Sequence, residues 1–96
     1  MAKQKVIRQA TVENKDNIFK FDVVGYKFLV KNFTAADVLV GFNEDDEDSE
    51  KILIPAEYAQ IVMTNEVPTL KLGTDTVIIT PGATSTKGVE VQCLVW

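Results

Sequence analysis

The sequence predicts an all-β protein: an antiparallel β-sandwich, jelly-roll or Ig-like, of about eight strands. Three observations carry this. Nearly every apolar stretch is short and rich in Val, Ile, Phe or Thr, as strands are. Within the stretches apolar and polar residues alternate, so that one face is apolar and the other wet. Turn residues return at a spacing of roughly ten residues, and no interval of about 10–15 residues has helical periodicity, which speaks against a βαβ fold.

The elements follow in order. Val6 to Val12 is a first strand, ended by the polar run Glu13-Asn14-Lys15-Asp16-Asn17. Ile18 to Val24 alternates, with Phe19, Phe21 and Val23 on one side and Lys20 and Asp22 on the other. Gly25 marks a turn or bulge. Tyr26 to Asn32 alternates again, placing Tyr26, Phe28 and Val30 together. After the connection Phe33–Asp37, Val38 to Phe42 resumes the strand pattern. Lys51 to Pro55 is a short strand that Pro55 ends. Ala56 to Gln60 reads as a helical turn, and Ile61 to Thr64 as strand. Thr69 to Leu72 is a brief strand, and Thr76 to Thr80 is the most β-prone run. Pro81 to Gly88 reads as a flexible loop. Val89 to Trp96 closes the chain, with Val89, Val91, Cys93 and Val95 on one face. The expected core is Phe19, Phe21, Phe28, Val30, Val38, Val40, Ile52, Ile54, Ile61, Val77, Ile79, Val89 and Val91.

With 96 residues, 1–96 is a single sandwich domain, and residues 1–12 are set apart by the polar pentad as an edge strand or arm. Composition excludes several functions. There is no histidine, so the commonest general base, nucleophile activator and metal ligand are all missing. Catalysis is not expected, nor any cofactor. Cys93 is the one cysteine, expected buried and inert; no internal disulfide forms, which suits a reducing compartment. The formal charge is −4 and the ten basic residues are scattered, which argues against nucleic acid as a partner. No apolar run approaches the ~18 residues of a membrane span, and the N-terminus has no apolar signal region. Neither a membrane nor a small-molecule substrate is expected.

The charge is strongly localised. Residues 43–50 carry six of the fourteen carboxylates, namely Glu44, Asp45, Asp46, Glu47, Asp48 and Glu50. Such a run is a solvated loop tip, a cation site, or a docking surface for a basic partner. An EF-hand loop starting at Asp46 fails, because Lys51 stands at its sixth position where glycine is required. Trp96 is large enough to cap the end of the sandwich or to anchor a subunit contact. Thr84-Ser85-Thr86 reads as a hydroxyl-rich linker. Asn32-Phe33-Thr34 fits the glycosylation pattern, but without a signal region modification is not expected.

Lys27-Phe28-Leu29-Val30-Lys31-Asn32-Phe33-Thr34, Asp37-Val38-Leu39-Val40, the acidic segment and Ile52-Leu53-Ile54-Pro55-Ala56-Glu57-Tyr58-Ala59-Gln60 together resemble small β-sandwich virion proteins. These are encoded by tailed bacteriophages and prophages of Gram-positive bacteria. The resemblance implies a structural or assembly component of a phage particle, capsid-associated or at the head–tail region. It implies contact with copies of itself or with other virion proteins, a place in the virion after synthesis in the host cytoplasm, and no catalytic residues. The other reading the residues allow is a soluble protein- or cation-binding module that uses residues 43–50.

Overall fold

The computed structural model describes residues 5–42, 51–64 and 73–96. They form eight strands: β1 (Val6–Thr11), β2 (Asn17–Gly25), β3 (Lys27–Asn32), β4 (Val38–Gly41), β5 (Ile52–Ile54), β6 (Ala59–Met63), β7 (Thr74–Pro81) and β8 (Ser85–Val95). Two four-stranded sheets result, of order β1-β8-β3-β6 and β2-β7-β4-β5. All pairings are antiparallel: β1 with β8, β2 with β7, β3 with β6 and β4 with β5, joined by β3–β8 and β4–β7. This is one long hairpin, folded back on itself at the β4–β5 connection and rolled into two layers. The sandwich is therefore a jelly roll, and an Ig-like strand order is excluded.

The roll needs the chain to change sheets at nearly every connection, and local residues make that possible. At the β1–β2 corner Lys15 N donates to Val12 O across 3.0 Å, and Asn14 takes a positive φ of 62°. Asparagine tolerates that conformation better than most residues. At the β2–β3 corner Gly25 is buried, and a Cβ there would collide with Cys93 Sγ. At the β5–β6 corner Tyr58 N donates to Pro55 O, with Glu57 at φ 61°. Residues 56–60 are thus a tight turn followed by the start of β6, and the helical turn expected there is absent. Proline ends β5, and the β3–β6 ladder captures Ala59 and Gln60 as strand.

The core lies between the sheets. Phe19, Phe28, Val30, Val38, Val40, Ile54, Val62, Val77, Ile79, Val89 and Val91 are fully buried. Each contributes about 1.5–3 kcal/mol relative to exposure. Phe28 links the layers, its ring 5.6 Å from Phe21 and 6.0 Å from Phe42. Ile52 packs against this core and is half-buried.

Three expected faces are corrected. Ile61 is exposed and Val62 is buried in its place. The β3–β6 ladder sets Val62 opposite Phe28 and Ile61 opposite Leu29, and a shift of one residue exchanges the faces. Val95 leaves the face of Cys93 because a bulge intervenes: Phe28 pairs with Cys93, but Lys27 pairs with Val95. Tyr26 is exposed, not beside Phe28, because it occupies the corner before β3, where its N donates to Val95 O and its O accepts from Thr64 N. The expected strand Thr69–Leu72 lies outside the described residues.

Candidate interaction face

The inward residues of β1-β8-β3-β6 are fixed by the core, so the outward ones follow from alternation and pairing. Three rows cross the sheet. The central row is Val6, Gln92, Leu29 and Ile61, each paired with the next. On one side lies Arg8, Glu90, Lys31 and Ala59. On the other lies Val95, Lys27 and Met63, with Leu94 beside the bulge. Val6, Ile61 and Val95 are 46–48 % exposed, and Met63 and Leu94 are 37–38 % exposed. The opposite sheet also exposes Ile18, Val24 and Leu53, but its outward Ile78 is buried. Among the described residues five exposed apolar side chains, Val6, Ile61, Met63, Leu94 and Val95, thus share the face of β1-β8-β3-β6, whose last described strand β6 holds no charged residue or proline.

The polar groups of this face are already ordered. Glu90 lies 3.3 Å from Lys31 Nζ and accepts a 2.8 Å bond from Gln92 Nε2. The Gln92 bond, with help from Lys31, holds the Glu90 carboxyl below its ordinary value. Arg8 stacks over the Phe33 ring at 4.3 Å and donates through Nε to Lys87 O. Trp96 follows β8 and is 57 % exposed, with Lys5 Nζ 4.5 Å above its ring. It closes the end of the sheet through this cation–π contact and keeps more than half of its surface open.

The other sequence candidates fall as follows. Glu44, Asp45, Asp46, Glu47, Asp48 and Glu50 lie outside the described residues. Among the described residues no group of three or more His, Cys, Asp or Glu stands together as metal ligands would. Cys93 is buried, and desolvation raises its thiol pKa, as expected of an inert side chain. Thr84-Ser85-Thr86 is not a plain linker, since Ser85 and Thr86 begin β8. Ser85 Oγ accepts from Lys87 N and Gly88 N, and Thr84 Oγ1 accepts from Glu13 N. The three residues line an open groove of about 450 Å³ with Phe33, Ala35, Glu57 and Lys87. Two of the three hydroxyl groups are thus committed to backbone.

Sequence reasoning missed the role of Asn32. Its side chain is buried at the end of β3 and donates to Ala36 O, Ile54 O and Pro55 O. Its Oδ1 accepts from both Thr34 N and Thr34 Oγ1. The Asn-Phe-Thr pattern is thus a structural clasp between two corners of the roll. An amide followed two residues later by a threonine at a strand end is the signal that could have found it.

No family model matches the chain, and no curated protein and no solved structure matches it.

Proposed function

We propose that this chain is a structural or assembly component of a phage particle, capsid-associated or in the head–tail region, acting by protein–protein contact and not by catalysis. The observation that carries the contact reading is the outward apolar row of β1-β8-β3-β6. Val6, Leu29 and Ile61, flanked by Met63, Leu94 and Val95, expose surface that a monomer gains nothing by exposing. The uncharged edge β6 supports it, because free edges are ordinarily guarded by charge or proline. The particle reading is supported by the resemblance over residues 27–34, 37–40 and 52–60. It is also supported by analogy of fold, since the eight-stranded roll recurs in viral capsid domains. The partners are copies of this chain or other virion proteins.

The test is binding of the purified chain to purified particle proteins, with an Ile61→Ser, Leu94→Ser variant beside it. Both positions are exposed, so the fold should change by less than about 1 kcal/mol. Binding by the wild type that falls about tenfold or more in the variant is expected, the loss of two contact side chains. A wild type that binds no particle protein and stays monomeric at high micromolar concentration would sink the reading.

A further inference from the structure

The corners β1–β2, β3–β4, β5–β6 and β7–β8 gather at one end of the roll, as the antiparallel pairings require. All four consist of described residues. Backbone bonds tie them together: Glu13 N donates to Thr84 Oγ1, Phe33 N to Gly88 O and Asn32 N to Tyr58 O. Between the last three corners opens the groove of about 450 Å³, walled by Phe33, Glu57, Thr84, Ser85, Thr86 and Lys87. That volume falls within the about 300–1,000 Å³ of small-molecule sites.

The backbone around the groove is already committed. Lys87 N and Gly88 N donate to Ser85 Oγ, Lys87 O accepts from Arg8 Nε, and Tyr58 N donates to Pro55 O. An added peptide strand would find little ladder to join. The side chains are the reverse. Among the described residues the Lys87 ammonium, the Glu57 carboxylate and the Thr86 hydroxyl make no hydrogen bond or ion pair. Thr84 and Ser85 use their hydroxyl oxygens as acceptors, which leaves each O–H free to donate. Arg8 holds the Phe33 ring from one face at 4.3 Å, and Phe33 is still 36 % exposed. Glu57 keeps a carboxylate at φ 61°, where glycine would be less strained.

We infer that this groove binds a short neutral saccharide. A sugar ring presents C–H groups on its faces and hydroxyl groups around its edge. The C–H face packs on an aromatic ring such as Phe33. The hydroxyl groups both donate and accept, which matches the Glu57 acceptor with the Lys87 and O–H donors. Lys87 and Glu57 cancel in charge, so neither an anion nor a cation is favoured over a neutral ligand. An apolar ligand would desolvate both charges without pairing them. The groove is open and holds one aromatic ring, so the affinity is weak, with a Kd of about 1 mM. The site does not use the outward apolar row, so its fate and that of the contact reading are independent.

Titration of the isotope-labelled chain with maltotriose, cellotriose and triacetylchitotriose, followed by amide chemical shifts, tests it. At about 10 mM, roughly tenfold above the expected Kd, at least one sugar should shift the amides of Phe33, Glu57, Thr86 and Lys87 and leave those of Leu39 and Leu53 unmoved. Glu57→Gln and Thr86→Ala should each weaken that binding about fivefold, the loss of one hydrogen bond. Both side chains are exposed and unbonded, so the melting temperatures should match the wild type. Phe33→Ala should weaken binding about fivefold or more; Phe33→Leu, which keeps apolar bulk without the ring, replaces it if the fold is lost. The inference is overturned if no sugar moves those amides, if the shifts map elsewhere, or if all the variants bind like the wild type. Shifts of the same amides by glycylglycine or inorganic phosphate, with none from the sugars, overturn it as well.

Discussion

Replacing Asn32 by alanine should be among the most damaging polar substitutions in this chain. It is 1 % exposed; its two N–H groups are shared among three carbonyl oxygens, and its Oδ1 accepts from two donors. Some partners have a second bond: Ala36 O keeps Thr34 Oγ1, and Pro55 O keeps Tyr58 N. Thr34 N, which donates to Asn32 Oδ1, loses that acceptor in a buried site, costing about 1–3 kcal/mol. Weaker satisfaction of Ile54 O and loss of local order bring the expected total to about 3 kcal/mol, a large part of an ordinary ~5–15 kcal/mol stability. Asn32→Asp is the sharper probe, because it keeps the shape but turns a carboxyl toward three carbonyl oxygens. The folded state then favours the protonated acid, so the folded pKa rises above the unfolded value of about 3.9. The variant's deficit against wild type should be smallest below about pH 4 and widen as pH rises toward the folded pKa, by up to ~1.4 kcal/mol per unit. Urea unfolding at several pH values reads both effects. A loss under about 0.5 kcal/mol for alanine, or a pH-independent deficit for aspartate, would refute the clasp.

Three further outcomes are expected. Glu57→Gly should be neutral to about 1 kcal/mol stabilising in thermal unfolding, since φ 61° costs a non-glycine residue about as much as, or more than, glycine's extra unfolded freedom; a clear loss would show that the carboxylate itself matters. The depressed Glu90 pKa contributes stability above its unfolded value near 4.5, and that contribution disappears as pH falls through the folded pKa. Glu90→Gln should therefore flatten the acid limb of urea midpoints between about pH 5 and 3, and an unchanged limb would count against it. Deleting residues 1–12 removes the β1–β8 ladder and the packing of Ile7, so the fold should be lost or strongly weakened. A synthetic peptide of those residues should restore it in proportion to its concentration, and an unaltered melt without the peptide would make β1 an appendage.

Alternation made most of the fold legible in the sequence, because each strand has one dry side. Phe19, Phe21, Phe28 and Val30 follow from local pattern alone. What failed depended on partners distant in the chain. Ile61 and Val62 are equally apolar neighbours, and only the pairing with β3 decides which turns inward. The bulge that reverses Val95 is likewise a property of the β3–β8 ladder. The two-sheet arrangement was expected, but its winding was left open between a roll and an Ig-like order. Periodicity carries no information on which strands pair. For the candidate site, Trp96 stood out by size. The outward row did not, because Val6, Leu29 and Ile61 are scattered in sequence and become neighbours only through register.

The winding also accounts for how residues far apart in the sequence come to share one surface. A hairpin rolled from its turn places the first and last strands side by side, so β1 and β8 share a sheet and bring Lys5 against Trp96. β3 joins the same sheet, and with it Lys27 and Lys31 meet Arg8 on one surface. The strands β4 and β5 belong to the other sheet by the same rule. The outward row Val6, Leu29 and Ile61 is composed by the same winding, from strands far apart in the sequence. The topology that closes the core therefore also assembles the exposed apolar face.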